Sequence, residues 1–244
     1  MSDPQGLTFD TVAVDYDRGR PGWPGSMLEG IEAVDVLDLA AGTGKLTRLL
    51  LDRYHHVIAV EPLAGMRALL PPYAEVLDGS AEAVPRPDCS VDAAFVAEAF
   101  HWFDSAAAVR ELARVLRPAG TVVVCFNTWR GPYEPPIGEQ AERVLEERWA
   151  RLPPPGGPKV ESGVWKLGFA GQPFSPLEAR RYDHEMETDR DGVAAYYSST
   201  SSTAQLPPAE RAELRAELVD VMADVRYGLP LTAHVYTARR LPRG

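Results

Sequence analysis

Two carboxylates and a glycine turn carry the chemistry in the first part of this 244-residue chain. Asp38 and the turn Gly42-Thr43-Gly44 lie within VLDLAAGTGKLTRLL, residues 36–50, and Glu61 closes the run HHVIAV that follows. The turn admits three readings. A Walker-type phosphate loop needs Gly, four residues and then Gly-Lys-Ser/Thr, because a hydroxyl must meet magnesium. Leu46 follows Lys45, and Leu39 stands where the first Gly should be, so that reading fails at both ends. A dinucleotide turn needs a small residue three places after the second Gly, where the helix presses on the sheet beneath a pyrophosphate. Thr47 stands there and weakens the match, and Lys45 is then a solvated residue at the start of a helix. Asp38 points elsewhere: a carboxylate at the carboxyl end of a strand repels a pyrophosphate and attracts an ammonium or sulfonium group. Glu61, at the end of the next strand, is placed to accept both hydroxyls of a ribose. A ribose on one side and a cationic amino-acid tail on the other describe S-adenosylmethionine.

Positioning these groups requires strands that end side by side. VDVLDLA (34–40) is a short apolar run ending at the turn, and LTRLLLDRY carries leucines at helical spacing: strand, loop, helix. HHVIAV (55–60) is a second strand, and Pro62 suits the first position of a helix GMRALL. The alternation continues through AEVLDG (74–79), VDAAFVA (91–97), a helix AAAVRELARVL (106–116) and TVVVCFN (121–127) after the turn Pro118-Ala119-Gly120. Val-rich strands separated by helices indicate a parallel sheet covered on both faces. Residues 128–176 break the pattern, being rich in Pro, Gly and Trp around one helical patch, GEQAERVLEERWARL, closed by PPPGGP. A segment of this kind reads as an insertion or cap near the acceptor site, or as a linker. The pattern resumes in 177–244 with a strand LEARRYDHEMET and a helix over PAERAELRAELVDVMADV. In that helix Leu214, Leu218, Val221, Met222 and Val225 share a core-facing side. A final strand LTAHVYTARR completes the same sheet, giving one domain with a core of 1–127.

A formal net charge of -10 and a pI near 5 disfavour tracking a nucleic acid or an anionic membrane surface. The start MSDPQGLTFD has neither a basic patch nor an apolar run, and no segment approaches the ~20 apolar residues of a membrane span. A cytoplasmic location is expected. Cys89 and Cys125 fit no ligand spacing and read as reduced, packing thiols. His55 and His56 lack partners at metal spacing and read as cover for a strand start; His184 in DHEME lacks the second His of a zinc helix, so no metal site is expected.

The chain resembles the class I S-adenosylmethionine-dependent methyltransferases, in the branch with an AFHWF-type motif after strand four. The matching stretches are VLDLAAGTGK, VIAVEP, GSAEAVP (79–85), VDAAFVAEAFHWF (91–103) and ELARVLRPAGTVVV (111–124), with HVYTARR at the end. They occupy residues 8–127 in the right order. The resemblance implies an α/β, doubly wound, seven-stranded Rossmann-like methyltransferase fold, its sheet mostly parallel with an antiparallel last strand. It implies that Asp38, Ala40, Gly42 and Gly44 lie against the methionine part of the cofactor, Ala40 replacing the usual Gly. Glu61 would hold the ribose, Pro62 and Met66 would border the adenine, and Ser80, Ala81 and Glu82 would flank its edge, Ser80 standing where many members carry Asp. Glu98, Ala99 and Phe100 would line the methyl-donor site. In FDTVAVDYDRGRPGWP, Tyr16 and Arg20 resemble a lid that closes over the cofactor's carboxylate. His101 is the candidate general base, with a packed pocket wall as its alternative role.

The expected activity is methyl transfer to a small-molecule acceptor by in-line displacement, with S-adenosylhomocysteine as product. Nucleic-acid amino-methylating enzymes carry Asn/Asp-Pro-Pro-aromatic after strand four, whereas EAFH stands here. Trp129, Tyr133, Trp149, Trp165 and Phe169 could wall an apolar acceptor pocket, or anchor their segment to the core. Two alternatives share the features: a non-catalytic S-adenosylmethionine-binding protein, and an NAD-dependent oxidoreductase, against which the Asp38 charge and the missing third glycine count. Oligomeric state is not legible.

Overall fold

Five Val- and Ala-rich runs form a parallel array because each can be buried on both faces. The computed structural model describes residues 9–130, 137–152 and 160–242. In chain order, α1 (Ala13–Gly19) precedes β1 (Asp35–Leu39), α2 (Lys45–Arg53), β2 (His56–Val60), α3 (Ala64–Arg67), β3 (Glu75–Leu77), β4 (Val91–Ala97), α4 (Ser105–Val115) and β5 (Leu116–Trp129). Then come α5 (Glu139–Trp149), β6 (Glu178–Asp189), α6 (Arg190–Ser198), α7 (Pro208–Val221) and β7 (Arg226–Arg239). One seven-stranded sheet runs β3-β2-β1-β4-β5-β7-β6. β1, β2, β3, β4 and β5 pair in parallel, while β7 lies antiparallel between β5 and β6.

Leu37, Leu39, Ile58, Val96 and Val124 face one core layer with Leu112 of α4; Val36, Val57, Phe95 and Val123 face the other with Leu46 and Leu50 of α2. Each such fully buried side chain contributes roughly 1.5–3 kcal/mol. A third cluster joins Ala141 and Leu145 of α5, Val193 and Tyr197 of α6, and Leu214 and Leu218 of α7. Parallel order brings the carboxyl ends of β1, β2, β4 and β5 to one rim, where ligands bind in such sheets. The order reverses at β1, with β2 and β3 on one side and β4 and β5 on the other, and the glycine turn follows that strand.

Several sequence expectations need correction. α3 is a single turn starting at Ala64, so Pro62 does not open it; the Glu61 side chain accepts the Leu63 N–H at 2.8 Å and holds a turn there instead. α7 ends at Val221 and Met222 turns extended, which leaves Val225 53% exposed and outside the core, while Leu214, Leu218 and Met222 are buried. Cys125 is buried, but Cys89 is exposed, with Arg240 donating to its Sγ at 3.1 Å, so only one of the two thiols packs. His56 lies between Asp35 (2.7 Å) and Glu75 (3.1 Å), a charged cluster at the opposite, amino end of the strands.

Candidate active-site cleft

A cleft opens above the carboxyl ends of β1, β2 and β4 in two lobes that share Tyr16, Arg20, Ala40, Gly42, Ala97 and Glu98. One lobe continues past Thr43 and Lys45 to Trp23, Asn127, Trp129, Tyr196 and Leu231; the other past Glu61, Leu63 and Met66 to Phe9, Ala99, His101 and Trp102.

The floor is built by the turn after β1. Ala40 takes φ +57 and Gly42 φ +58, both left-handed, a conformation glycine adopts freely and alanine does not. This backbone aims the Gly42 N–H at Glu61 Oε2, 2.9 Å away, while Leu63 N–H holds Oε1. Glu61 is thus fixed by two amides and is 3% exposed at the wall of the second lobe. Burial raises its pKa, against the lowering by the two amides. A Cβ added at Gly42 would meet no protein atom within 4 Å, so the turn leaves room at the junction of the lobes. A pinned carboxylate with spare lone pairs beside an open glycine turn fits a ribose followed by a small charged tail.

The roof comes from both ends of the chain. α1 packs on α6, and Arg20 lies between two rings, 4.8 Å from the Tyr16 centroid and 5.0 Å from that of Tyr196. Its Nη2 donates to Ser199 O at 3.0 Å. Arg18 pairs with Asp189 at 2.5 Å, a second clasp between the same elements. Burial raises the Tyr16 pKa, with Arg20 opposing.

Glu98 stands just past β4 with φ +54, held by its own N–H to Cys125 O (3.0 Å) and by Asn127 N–H to its Oε1 (2.6 Å). Burial pushes its carboxyl up to about 7, against the Asn127 bond and the Arg20 charge. Beyond it, His101 lines the second lobe with its ring 5.0 Å from Trp102 and 5.9 Å from Phe126, in contact with the aromatic wall.

Some expected residues do not reach the lining. Asp38 is 1% exposed beneath the turn, accepting from Thr47 Oγ1 at 2.6 Å, with Oδ1 buried and unpartnered. Burial pushes it to about 7, although the Thr47 bond lowers it. Gly44 takes φ +88 as the residue that starts α2 and packs under Pro71 and Leu70. Phe100 is fully buried against Phe103, Trp165 and Phe169. Ser80 bridges to Ala83, Ala81 is buried in the core, and Glu82 accepts the Asp104 N–H at 3.2 Å, so this turn braces the start of α4. Pro62 is passed over in favour of Leu63.

Other lining residues escaped the sequence reading. Lys45 is not simply solvated: it lines the first lobe, 4.0 Å from Asp17, and burial lowers its pKa. Leu63, Thr43, Asn127 and Tyr196 carried no signal of their own, since a tertiary contact brings them to the rim. The five aromatics of 128–176 separate. Trp129 ends β5 and lines the first lobe, donating to Tyr196 Oη at 3.0 Å; Trp165 and Phe169 pack into the core; Trp149 is 37% exposed against Tyr197. Tyr133 lies outside the described residues. His184 donates to or accepts from no metal cluster but meets Asn127 Oδ1 at 2.8 Å; among the described residues no group of three His, Cys, Asp or Glu could hold a metal.

The family model for a methyltransferase domain matches residues 37–124, the span from β1 through most of β5. An uncharacterized methyltransferase of Mycobacterium tuberculosis is 46% identical over 129 residues, 50% of this chain and 53% of that protein, so the chain spans about half the length of this relative. A methyltransferase-like protein of Schizosaccharomyces pombe is 31% identical over 225 residues, covering 88% of this chain and 85% of its own. The solved structure of a proposed type II methyltransferase from Anaeromyxobacter dehalogenans superposes with a TM-score of 0.64 at 26% identity, over 92% of this chain and 99% of that one. Similarity that extends across nearly the whole chain, on a sheet of this order, places it in the class I S-adenosylmethionine-dependent methyltransferase family.

Proposed function

We propose that this chain moves a methyl group from S-adenosylmethionine to a small-molecule acceptor. The observation that carries the reading is Glu61, pinned by the Gly42 and Leu63 amides on the wall of a cleft whose floor is the glycine turn. Glu61 accepts the ribose hydroxyls, Leu63 and Met66 border the base, and the backbone of Ala40 and Gly42 supports the amino-acid tail beneath Tyr16 and Arg20. The bound cofactor supplies a methyl group already made electrophilic by its sulfonium, so the residues need only align, exclude water and take up one proton. His101, at the rim of the second lobe, is the candidate for that proton. Trp23, Trp129, Tyr196 and Leu231 offer apolar walls for the acceptor, and a net charge of -10 supports a small molecule over a nucleic acid.

Calorimetric titration with S-adenosylmethionine and with NAD tests the cofactor. Binding of the first alone is expected, and Glu61→Ala should weaken it by about tenfold or more, as loss of a charged acceptor for two hydroxyls does. Unchanged affinity in that variant would remove Glu61 from the site. Incubation with an acceptor panel, read as S-adenosylhomocysteine by mass spectrometry, separates an enzyme from a non-catalytic binder.

A further inference from the structure

We propose that Glu98, rather than Asp38, is the carboxylate that meets the cationic part of the bound cofactor, and that binding there expels a proton from the Glu98 side chain. The inference deepens the function proposed above and rests on it. Asp38 sits where a cation partner is sought in sequence, but its carboxylate is beneath the turn, engaged by Thr47, and neither lobe touches it. Glu98 lines both lobes, at their junction with Ala40, Gly42 and Ala97. Any ligand long enough to reach from Glu61 into the first lobe must pass it.

The chain holds Glu98 there against its own preference. A left-handed φ of +54 is a conformation that a side chain with a Cβ resists, and it persists only where neighbours fix it. The neighbours are two strand-end bonds, Glu98 N–H to Cys125 O and Asn127 N–H to Glu98 Oε1. Asn127 is itself tied on both sides, donating from Nδ2 to Gly22 O at 3.2 Å and meeting His184 Nε2 at 2.8 Å. The clamp occupies one carboxylate oxygen from the side of β5 and leaves the other to engage a ligand in the cleft.

Several charged or titratable groups surround this carboxyl. Arg20 and Tyr16 face it from α1, Cys125 from β5 and Asp38 from β1, while Glu61, Lys45 and His101 line the same cleft. Arg20 favours the ionised form, and burial outweighs it. A cation placed beside the carboxyl reverses that balance: the proton leaves to solvent, and the carboxylate pairs with the ligand. Two cations of the cofactor qualify, the sulfonium and the ammonium of the methionine tail.

Calorimetry of wild type, Glu98→Gln and Asp38→Asn with S-adenosylmethionine and S-adenosylhomocysteine, in two buffers of different ionisation heat, tests the proposal. Wild type should release protons on binding near pH 6, and its affinity should rise as pH rises through about 7. Glu98→Gln, whose amide oxygen still accepts the Asn127 bond, should abolish the release and weaken binding at least about tenfold. A loss confined to S-adenosylmethionine assigns the partner as sulfonium; equal losses with S-adenosylhomocysteine, which keeps only the ammonium, assign it as ammonium. Affinity of Glu98→Gln within about twofold of wild type, a flat wild-type pH profile, or proton release lost only in Asp38→Asn would each overturn the proposal. Absence of any binding by wild type would instead fail the cofactor assignment itself.

Discussion

Ala40 holds φ +57 at the first left-handed position of the turn, and it lines both lobes of the cleft. An L residue there is disfavoured by about 1–2 kcal/mol, whereas glycine is not, and the greater freedom of glycine in the unfolded chain offsets roughly 0.5–1 kcal/mol of the gain. Ala40→Gly should therefore stabilise the fold by about 0.5–1 kcal/mol, a rise in melting temperature of a few degrees for a domain of this size. A lower melting temperature would mean that the Ala40 methyl packs more usefully than its backbone suffers. The departure of Ala40 from the usual glycine was visible in sequence, and so was the left-handed turn it must adopt. Asp38 was misplaced for a physical reason. Its position at a strand end was legible, but not the direction of its side chain, which the Thr47 hydroxyl draws under the turn. That same Thr47 stands where a dinucleotide turn would carry a small residue, so a single side chain both weakens one reading and relocates the carboxylate of another.

At the scale of elements, the roof depends on how closely α1 approaches α6. Gly19 makes that approach possible: a Cβ there would lie 2.2 Å from Tyr196 N and 2.5 Å from Tyr196 Cα, inside contact distance of backbone that cannot yield locally. Gly19→Ala should push α1 off α6, costing about 1–3 kcal/mol as overpacking does, and should loosen Tyr16 and Arg20 over the cleft. Thermal melts together with S-adenosylmethionine titration check this; a variant unchanged in both would show that α1 does not seat on α6. None of this was readable from the chain. The parallel strands were, because continuous Val- and Ala-rich runs between leucine-patterned helices have few other solutions. α6 was not singled out, since RDGVAAYYS is short and its burial comes from α1, α5 and α7 rather than from a periodic face. The start of β7 was also missed. Pro230 interrupts the run and argues against a strand, yet the ladder to β5 ends at Leu231, so Pro230 pairs only with β6, opposite Glu185.

The whole molecule must fold with Asp38 and Glu98 placed where water cannot solvate their charge, and this sets how its stability responds to pH. Burial raises Asp38 from 3.8 to about 7. Between those values the folded chain binds more protons at this site than the unfolded chain does, so stability falls as pH rises, by at most about 1.4 kcal/mol per unit for one group. Other carboxylates act in the opposite sense. Asp35, lowered by its bond from His56 and by Arg117, and Glu111, lowered by its bonds from Arg114, stabilise the fold above their unfolded pKa and lose that contribution as pH falls. The two trends should leave the ligand-free protein most stable on the acid side of neutrality, near pH 5 by order of magnitude. Asp38→Asn isolates one term. The Asn carbonyl can keep the Thr47 bond, and no charge is buried at any pH. Relative to wild type, the variant should gain about 1–3 kcal/mol between about pH 5 and about pH 8, measured by urea unfolding at each pH. Parallel pH profiles for the two proteins would show that Asp38 is ionised at neutral pH, with a cation or water supplying the partner that its Oδ1 lacks among the described residues.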